Sequence, residues 1–574
     1  MCCALAYVLC VLATTAPLYA MLGFQTHLWI SDTLIQVGSW LHLPRDLGFT
    51  PGHYVSQQQT SYLEFLLLTL LAFAIYGFCA YLLQRERAEA QGNHTFALRL
   101  IWVTTIVSGC LYLFVPVRLS DDVYGYASYG RLLSVHHANP YVISPSAYPQ
   151  DPTYQLIHWK VALAPYGPVW IVIGAVVGLL AGPDRLGYLI AFRLCAFAAH
   201  LLNIWLVTTT LRTIGHSPRT VALGTLLYAW NPLVLLESSL GGHNDVFMLT
   251  FILLGLLLGA RAERNGATRL RDSIPALVTF TLAGLVKLTA FPIIAFPVLK
   301  LCWDTYNSNH TGTFRFCARM CGSTTPPLGA INRAPTRKSH ANGTDSPLRR
   351  GSSALLVGLL AGSISVGVIL VCYAPFWLGQ SIQQIVFSFS SQPAENFAFN
   401  SMLAAISVWQ RAHGLPALLA LFNSRHTWNV ITIAAIALTV GIGGMWLRCA
   451  PTTRTVTLAA LATLAAFLLV TPWFTDWYVT WLVGLAAVCL PVAHDRLGRS
   501  LFVLALTFSA SAFLTYYYVS IGHLLLVLHP NNITWFALEC FATFGIPLFA
   551  FVLCWVSQRQ GVIPLRAAPR QSQG

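Results

Sequence analysis

The chain has 574 residues, of which 56% are hydrophobic and only 9% charged, and its mean hydropathy is +0.64. Soluble globular chains carry roughly 25% charged residues, so this one has too little polar surface to enclose a water-soluble body of its size. A net charge of +14 would suit a nucleic-acid partner, but the placement of the basic residues argues for membrane topology instead.

Apolar runs long enough, or nearly long enough, to cross a bilayer core lie at 3–22, 62–82, 99–117, 187–210, 220–237, 246–260, 353–378, 428–447, 456–471, 477–493, 500–519 and 535–556. The first run has no basic residues before it and reads as a span, not a cleaved signal peptide. The Gly-rich run 167–182 is short and reads as re-entrant or surface-lying. The stretch 273–303 is too long for one crossing. Lys287 and Pro292 interrupt it, which predicts a tight hairpin of two short helices. The expected fold is an all-α polytopic membrane protein, a bundle of about 12–14 transmembrane helices. Residues 1–98 would hold N-terminal helices and 99–303 a core carrying an outer loop at 118–166. A basic disordered cytoplasmic loop at 304–352, a C-terminal membrane region at 353–557 and a cytoplasmic tail at 558–574 would follow.

The basic residues set the sidedness. Segments 83–99, 211–219, 261–272, 300–352, 448–455, 494–499 and the tail after 556 hold 24 of the 33 Lys and Arg. This is the excess expected of cytoplasmic loops. Segment 304–352 is rich in Arg, Ser, Thr, Pro and Gly, and Cys317 and Cys321 there have no second pair with which to build a zinc site.

With only 19 acidic residues, each can be placed. Asp121, Asp122, Asp151, Glu237, Asp245, Glu395 and Asp476 fall on the predicted outer side, several at the mouth of a span, where carboxylates are costly and tend to serve function. The sharpest cluster is Ser120-Asp121-Asp122-Val-Tyr124-Gly-Tyr126-Ala-Ser-Tyr129-Gly130-Arg131. Asp122, Tyr126 and Tyr129 share a face if this segment is helical, with Arg131 following. A carboxylate there suits a general base or a metal, and a capped interfacial helix explains the same pattern. Asn139-Pro-Tyr141 and Ala164-Pro-Tyr166-Gly-Pro168 read as rigid turns. Glu237-Ser-Ser-Leu-Gly241-Gly242-His243-Asn244-Asp245 offers donors and acceptors beside a Gly-Gly turn, or else a polar helix connection with Asn or Asp as cap. Lys287 suits an anionic phosphate or snorkelling to the interface. Asp476, in the aromatic loop 471–478, suits a sugar contact or a helix cap.

In this order the motifs resemble the GT-C superfamily of polytopic glycosyltransferases, and within it the bacterial polyprenol-phosphate-mannose-dependent alpha-1,6-mannosyltransferases. The resemblance runs from about 100 to 490 and rests on Ser120 to Ala127 with Gly130, then Asn139-Pro140-Tyr141, Ala164 to Pro168, Asn231-Pro232, Gly241 to Asp245, Lys287 and Pro472-Trp473. It implies inverting transfer of a mannosyl residue from a polyprenyl-phosphate donor to a glycan or glycolipid acceptor, outside a bacterial plasma membrane. Asp122 or Asp121 would be the catalytic acid residue of the first outer loop, taking the acceptor hydroxyl's proton. Arg131, Lys160, His243 and Lys287 would face the phosphate, and Tyr126, Tyr166, Asn244, Asp245 and Asp476 would contact the substrates. A divalent cation such as Mg or Mn is compatible but not required, and nucleic acid is not an expected partner. A transferase of lipid-linked arabinose or glucose, or a secondary transporter or flippase, is the alternative. Transporters, however, place acids near mid-membrane and show repeated halves, whereas here the acids gather on one side.

Overall fold

The computed structural model describes residues 1–20, 51–85, 91–115, 120, 122–266, 269–307, 347–390, 398–413, 424–490, 495–517 and 533–560. Asp121 and Glu395 lie outside the described residues, as does most of the expected cytoplasmic loop, 308–346. In chain order the helices are α1 (Cys2–Ala20), α2 (Pro51–Arg85), α3 (Gln91–Leu113), α4 (Asp122–Ser134), α5 (Pro168–Ala181), α6 (Arg185–Ile214), α7 (Pro218–Ala229), α8 (Pro232–Leu236), α9 (Asp245–Arg264), α10 (Leu270–Val286) and α11 (Ala295–Asn307). The second half adds α12 (Pro347–Trp377), α13 (Ile382–Ser390), α14 (Met402–His413), α15 (Arg425–Cys449), α16 (Thr453–Val470), α17 (Val479–Val488), α18 (Arg496–Ser511), α19 (Phe513–Tyr517) and α20 (Ile533–Gln560).

The protein is an all-α, multi-pass membrane bundle. Among the described residues ten helices are long and apolar enough to cross a bilayer, or eleven if the bent pair Pro218–Ala229 and Pro232–Gly241 counts as one. Helix α12 shows the logic, with Leu355, Leu356, Leu359, Leu360, Leu370 and Val371 all exposed. A helix, its backbone bonded internally, can present such a face to lipid. Helix α17 is the opposite case. Every one of its residues is buried, so it forms the centre of the bundle.

Two features depart from the simple run of spans. The apolar run 220–237 is not one helix: it bends by 54° at Asn231-Pro232. Proline cannot donate to the helix ladder and disfavours helical backbone at the residue before it. Asn231 then restarts the helix, its side-chain oxygen accepting from the amides of Leu233 and Val234. Two carbonyls near the end of α7 are taken by phenols from the N-terminal helices: Tyr7 donates to the Trp230 carbonyl at 2.6 Å and Tyr76 to that of Leu227 at 2.9 Å. The second break falls where the sequence placed it. Lys287 has extended backbone between α10 and a 3-10 stretch, Leu288–Ile294, that contains Pro292.

The segment expected as an outer loop is more ordered than a loop. Residues 122–134 form α4, started by Ser120, whose hydroxyl accepts from the amide of Asp122 at 3.2 Å. Helix α4 lies on α5 with backbone against backbone, because Gly130 faces Gly174. A Cβ on Gly130 would collide with the carbonyl group of Gly174, and backbone cannot give way. Gly130→Ala should therefore lower the melting temperature of the detergent-solubilised protein, at a cost of about 1–3 kcal/mol. Gly125→Ala, on the same helix with open space at its Cβ, should leave it unchanged or slightly raised. Equal melting of the two variants would refute this account of the crossing.

Candidate active site

Four segments converge at one end of α9. The first is α4, which supplies Asp122 and, one turn on, Tyr126. The phenol of Tyr126 lies 3.4 Å from the Asp122 carboxylate and donates to the side-chain oxygen of Asn244 at 3.3 Å. Its ring is held edge-on by Tyr166 at 5.1 Å and Trp170 at 5.0 Å, with Phe192 at 5.7 Å. Burial, reinforced by the charge of Asp122, pushes the Tyr126 phenol well above its ordinary range, so it stays a neutral donor.

The second segment is the turn between α8 and α9. Glu237–Gly241 forms a single π-helical turn, closed by Gly242 in the left-handed region at φ 70°. Such turns insert an extra residue into a helix and occur often at functional sites. Here the turn brings Glu237, fully buried, back against His243: the Nε2 nitrogen lies 3.2 Å from a Glu237 oxygen. The other ring nitrogen, Nδ1, lies 3.6 Å from the carboxylate of Asp122. Gly241 is required at its place, since a Cβ would stand 2.5 Å from the His243 ring and 2.6 Å from the Glu237 carboxylate. Asn244 and Asp245 do not act as side-chain caps. Asn244 faces Tyr126, and Asp245, at the first position of α9, turns to the third segment.

That third segment is the break at Lys287. Its ammonium reaches both oxygens of Asp245, at 2.8 and 2.9 Å, and lies 3.9 Å from the centre of the Tyr478 ring. The fourth segment, 471–488, closes over the rest. Trp477 stacks on His243 at 3.9 Å and 13°, and Trp481 donates its indole N–H to Asp245 at 2.7 Å. Asp476 is buried at the head of the 3-10 turn that carries Trp477 and Tyr478.

Asp122, Tyr126, Tyr166, His243, Asn244, Asp245 and Lys287 thus come together, with Asp476 one residue from the ring that covers His243. Arg131 and Lys160 are engaged elsewhere. Arg131 pairs with Asp151 at 2.9 Å, in a knot that His136 and Thr153 complete at 2.8 and 2.7 Å. Lys160 lies 4.6 Å from the Tyr154 ring. Arg131 follows Tyr129 by two positions and so leaves the face that Asp122 and Tyr126 share. Glu237, Trp477 and Trp481 were not singled out as site residues from the sequence. Glu237 stood among the outer acids, but nothing in its spacing shows a π turn.

The open edge of the cluster is Asp122. Its side chain is 32% exposed, against 1% for His243 and 0% for Glu237 and Asp245. The two carboxylates nearest His243 approach opposite ring nitrogens and not a common point. Among the described residues no group of three His, Cys, Asp or Glu side chains would hold a metal ion.

Two expectations follow. The Asp245–Lys287 pair is buried, so removing either partner strands a charge at a cost of about 3–5 kcal/mol. Asp245→Asn and Lys287→Met should each destabilise the solubilised protein, and the double variant should lose less than the two combined; strict additivity of the melting shifts would contradict the pairing. For Asp151, burial raises the carboxyl, but the hydrogen bonds from Thr153, His136 and Arg131 outweigh it and hold it below its ordinary 3.8. A depressed carboxylate stabilises the fold above its unfolded value and ceases to do so as pH falls through the folded one. Asp151→Asn should accordingly destabilise at neutral pH, with the gap to wild type closing below pH 3.8, as thermal melts across pH would show.

Residues 21–304 match the family model described as alpha-(1->6)-mannopyranosyltransferase, N-terminal domain. The chain is 28% identical over 211 residues to alpha-(1->6)-mannopyranosyltransferase A of Mycobacterium tuberculosis, covering 36% of either chain. It is 30% identical over 162 residues to alpha-(1->6)-mannopyranosyltransferase B of Corynebacterium glutamicum, covering 26% of either. The matched stretch thus spans about a third or less of these relatives' length. The cryo-EM structure of arabinosyltransferase EmbB from Mycobacterium smegmatis aligns over 81% of this chain and 44% of that one, at 14% identity and a TM-score of 0.27, too low to support a statement about fold. The matched residues include Asp122, Tyr126, His243, Asn244, Asp245 and Lys287, and over this stretch, just under half of its length, the chain is similar to the alpha-(1->6)-mannopyranosyltransferases.

Proposed function

We propose that the chain transfers a mannosyl residue from polyprenyl-phosphate mannose to a glycan or glycolipid acceptor on the extracytoplasmic face of a bacterial plasma membrane, with inversion and formation of an alpha-1,6 linkage. The observation that carries this reading is the exposure gradient at Asp122: one open carboxylate on the rim of a buried set of His, Asn, Asp, Lys and Tyr side chains. Such a rim suits a reaction in which a polar acceptor arrives from water while the donor's tail stays in lipid.

The reaction asks little of the leaving group, since a phosphate monoester anion departs without a strong acid. It asks instead for a base at the acceptor hydroxyl and for donors around the sugar and phosphate. In our reading Asp122, or Asp121 beside it, accepts the hydroxyl proton as the acceptor oxygen bonds to the anomeric carbon. The bond from that carbon to the phosphate oxygen breaks, and its electron pair stays with the carrier. Tyr126 and Asn244 orient sugar hydroxyls. Lys287, already committed to Asp245, holds that carboxylate in place and adds positive potential nearby. The charge excess of the basic loops supports an extracytoplasmic site, because it assigns the Asp122 and His243 turns to the opposite side from those loops.

In proteoliposomes supplied with polyprenyl-phosphate mannose and a synthetic alkyl α-mannoside, Asp122→Asn should lose at least about a hundredfold in kcat, the usual range for a displaced general base. Full activity of both Asp122→Asn and Asp121→Asn would end this assignment. A panel of polyprenyl-phosphate mannose, glucose and arabinose offered to the same protein should give transfer with mannose; preferential use of another sugar would move the donor assignment.

A further inference from the structure

Glu237 has no place in the chemistry just described, yet it is a fully buried carboxylate within a membrane bundle, 3.2 Å from a ring nitrogen of His243. Burying a carboxylate is costly wherever it sits, and more so at membrane depth. The local backbone is shaped to bring it there. The π turn at 237–241, the glycine at 241 whose absent Cβ leaves room for both side chains, and the left-handed Gly242 all serve to fold His243 back onto Glu237. Trp477 stacked on the imidazole fixes the plane of the ring.

This arrangement gives the two ring nitrogens different neighbours. Nε2 faces Glu237 and Nδ1 faces Asp122. A proton on Nε2 lies on the Glu237 side of the ring, which leaves the Nδ1 lone pair directed at the exposed carboxylate. The identity of the neutral tautomer is set by what the other nitrogen meets. The groups around the ring are Asp122 from α4, Glu237 and Gly241 from the π turn, and Trp477 from the 3-10 turn. Arg193 of α6 packs beside Gly242, and Lys287 with Asp245 follows next in the cluster.

We infer that Glu237 is a positioning residue that holds His243 as a proton relay behind Asp122, a role that rests on the mannosyl-transfer reading above. As the acceptor oxygen bonds to the anomeric carbon, its proton passes to the Asp122 carboxylate and the pair from the broken bond stays on the carrier phosphate. The proton then moves from Asp122 to Nδ1 of His243. The resulting imidazolium lies between two carboxylates, and Asp122 is ionised again for the next acceptor. The proton leaves to water at the exposed Asp122 rim, so protons and charge balance over one turnover.

The test measures kcat, KM and pH dependence of mannosyl transfer in proteoliposomes for wild type, Glu237→Gln and Glu237→Asp. Glu237→Gln takes away the carboxyl group that faces Nε2. Glu237→Gln should therefore lower kcat by about tenfold or more, leave donor KM nearly unchanged, and move the acid limb of the kcat profile to lower pH. Glu237→Asp should keep the limb near its wild-type position. An unchanged kcat and limb in Glu237→Gln would overturn the relay, as would a joint loss of kcat and affinity with the limb unmoved, which marks a purely structural role. Should Glu237→Gln fail to accumulate, nitrogen-15 histidine spectra of the wild-type protein decide the matter, with the His243 signal identified by its absence in His243→Gln. An Nε2-protonated neutral ring supports the inference and an Nδ1-protonated ring overturns it. Loss of transfer in Asp122→Asn together with a silent Glu237→Gln would sink the relay alone, whereas an active Asp122→Asn would sink the transfer reading itself.

Discussion

The site depends on a buried ion pair. Asp245 and Lys287 are drawn from the start of α9 and the break after α10, and each meets the other in a place from which water is largely absent. A lone charge there would be prohibitively costly, so each partner commits the other. Trp481 adds an indole N–H to the same carboxylate, which ties α17, buried along its whole length, to both. Three separate segments are thereby held at one point. The neighbouring His243, Asn244 and Trp477 inherit their positions from that anchor, because each is within a few residues of one of its members.

Several strongly polar side chains lie deep in the bundle. His200, Asn203, Glu237, His243, Asn244 and Asp245 are all fully buried, while the lipid-facing helices carry leucine and valine outward. Helix pairs in lipid gain little from apolar contact alone, so specificity comes from close backbone approach and from polar contacts inside. Both devices are present: Gly130 against Gly174 for the first, and Asn203 donating to Tyr228 and to the Val246 carbonyl for the second.

Much of this was legible in the chain. Long apolar runs separated by basic loops gave the all-α membrane class, and the lysine and proline within 273–303 marked the break that α10 and the 3-10 stretch make. Spacing of four placed Asp122 and Tyr126 on one face, as α4 has them. Other features were not legible, for definite reasons. The bend at Asn231-Pro232 was missed because the apolar residues on both sides of the pair together make one run long enough to span. Arg131 was placed near the acid by sequence distance, but two residues along a helix turn a side chain to another face, and Asp151 captures it there. Lys160 was chosen for its charge, yet a cation over the Tyr154 ring is a tertiary event without a local signature. Glu237 required knowledge of a π turn, which periodicity of 3.6 cannot reveal. The reading of 304–352 as disordered falls mainly on residues outside those described.

The bend between α7 and α8 carries a consequence for the first two helices. A proline that interrupts a helix within lipid strands acceptors that no water can reach. Tyr7 and Tyr76 supply the missing donors to Trp230 and Leu227, and the Tyr7 ring also stacks on the Trp230 indole at 5.1 Å. The N-terminal helices therefore act as a splint for the kinked rod whose far end carries Glu237 and His243. Any shortened version of this chain that begins after α2 would leave those carbonyls bare to hydrocarbon, and the turn at 237–241 would lose the brace that sets its angle.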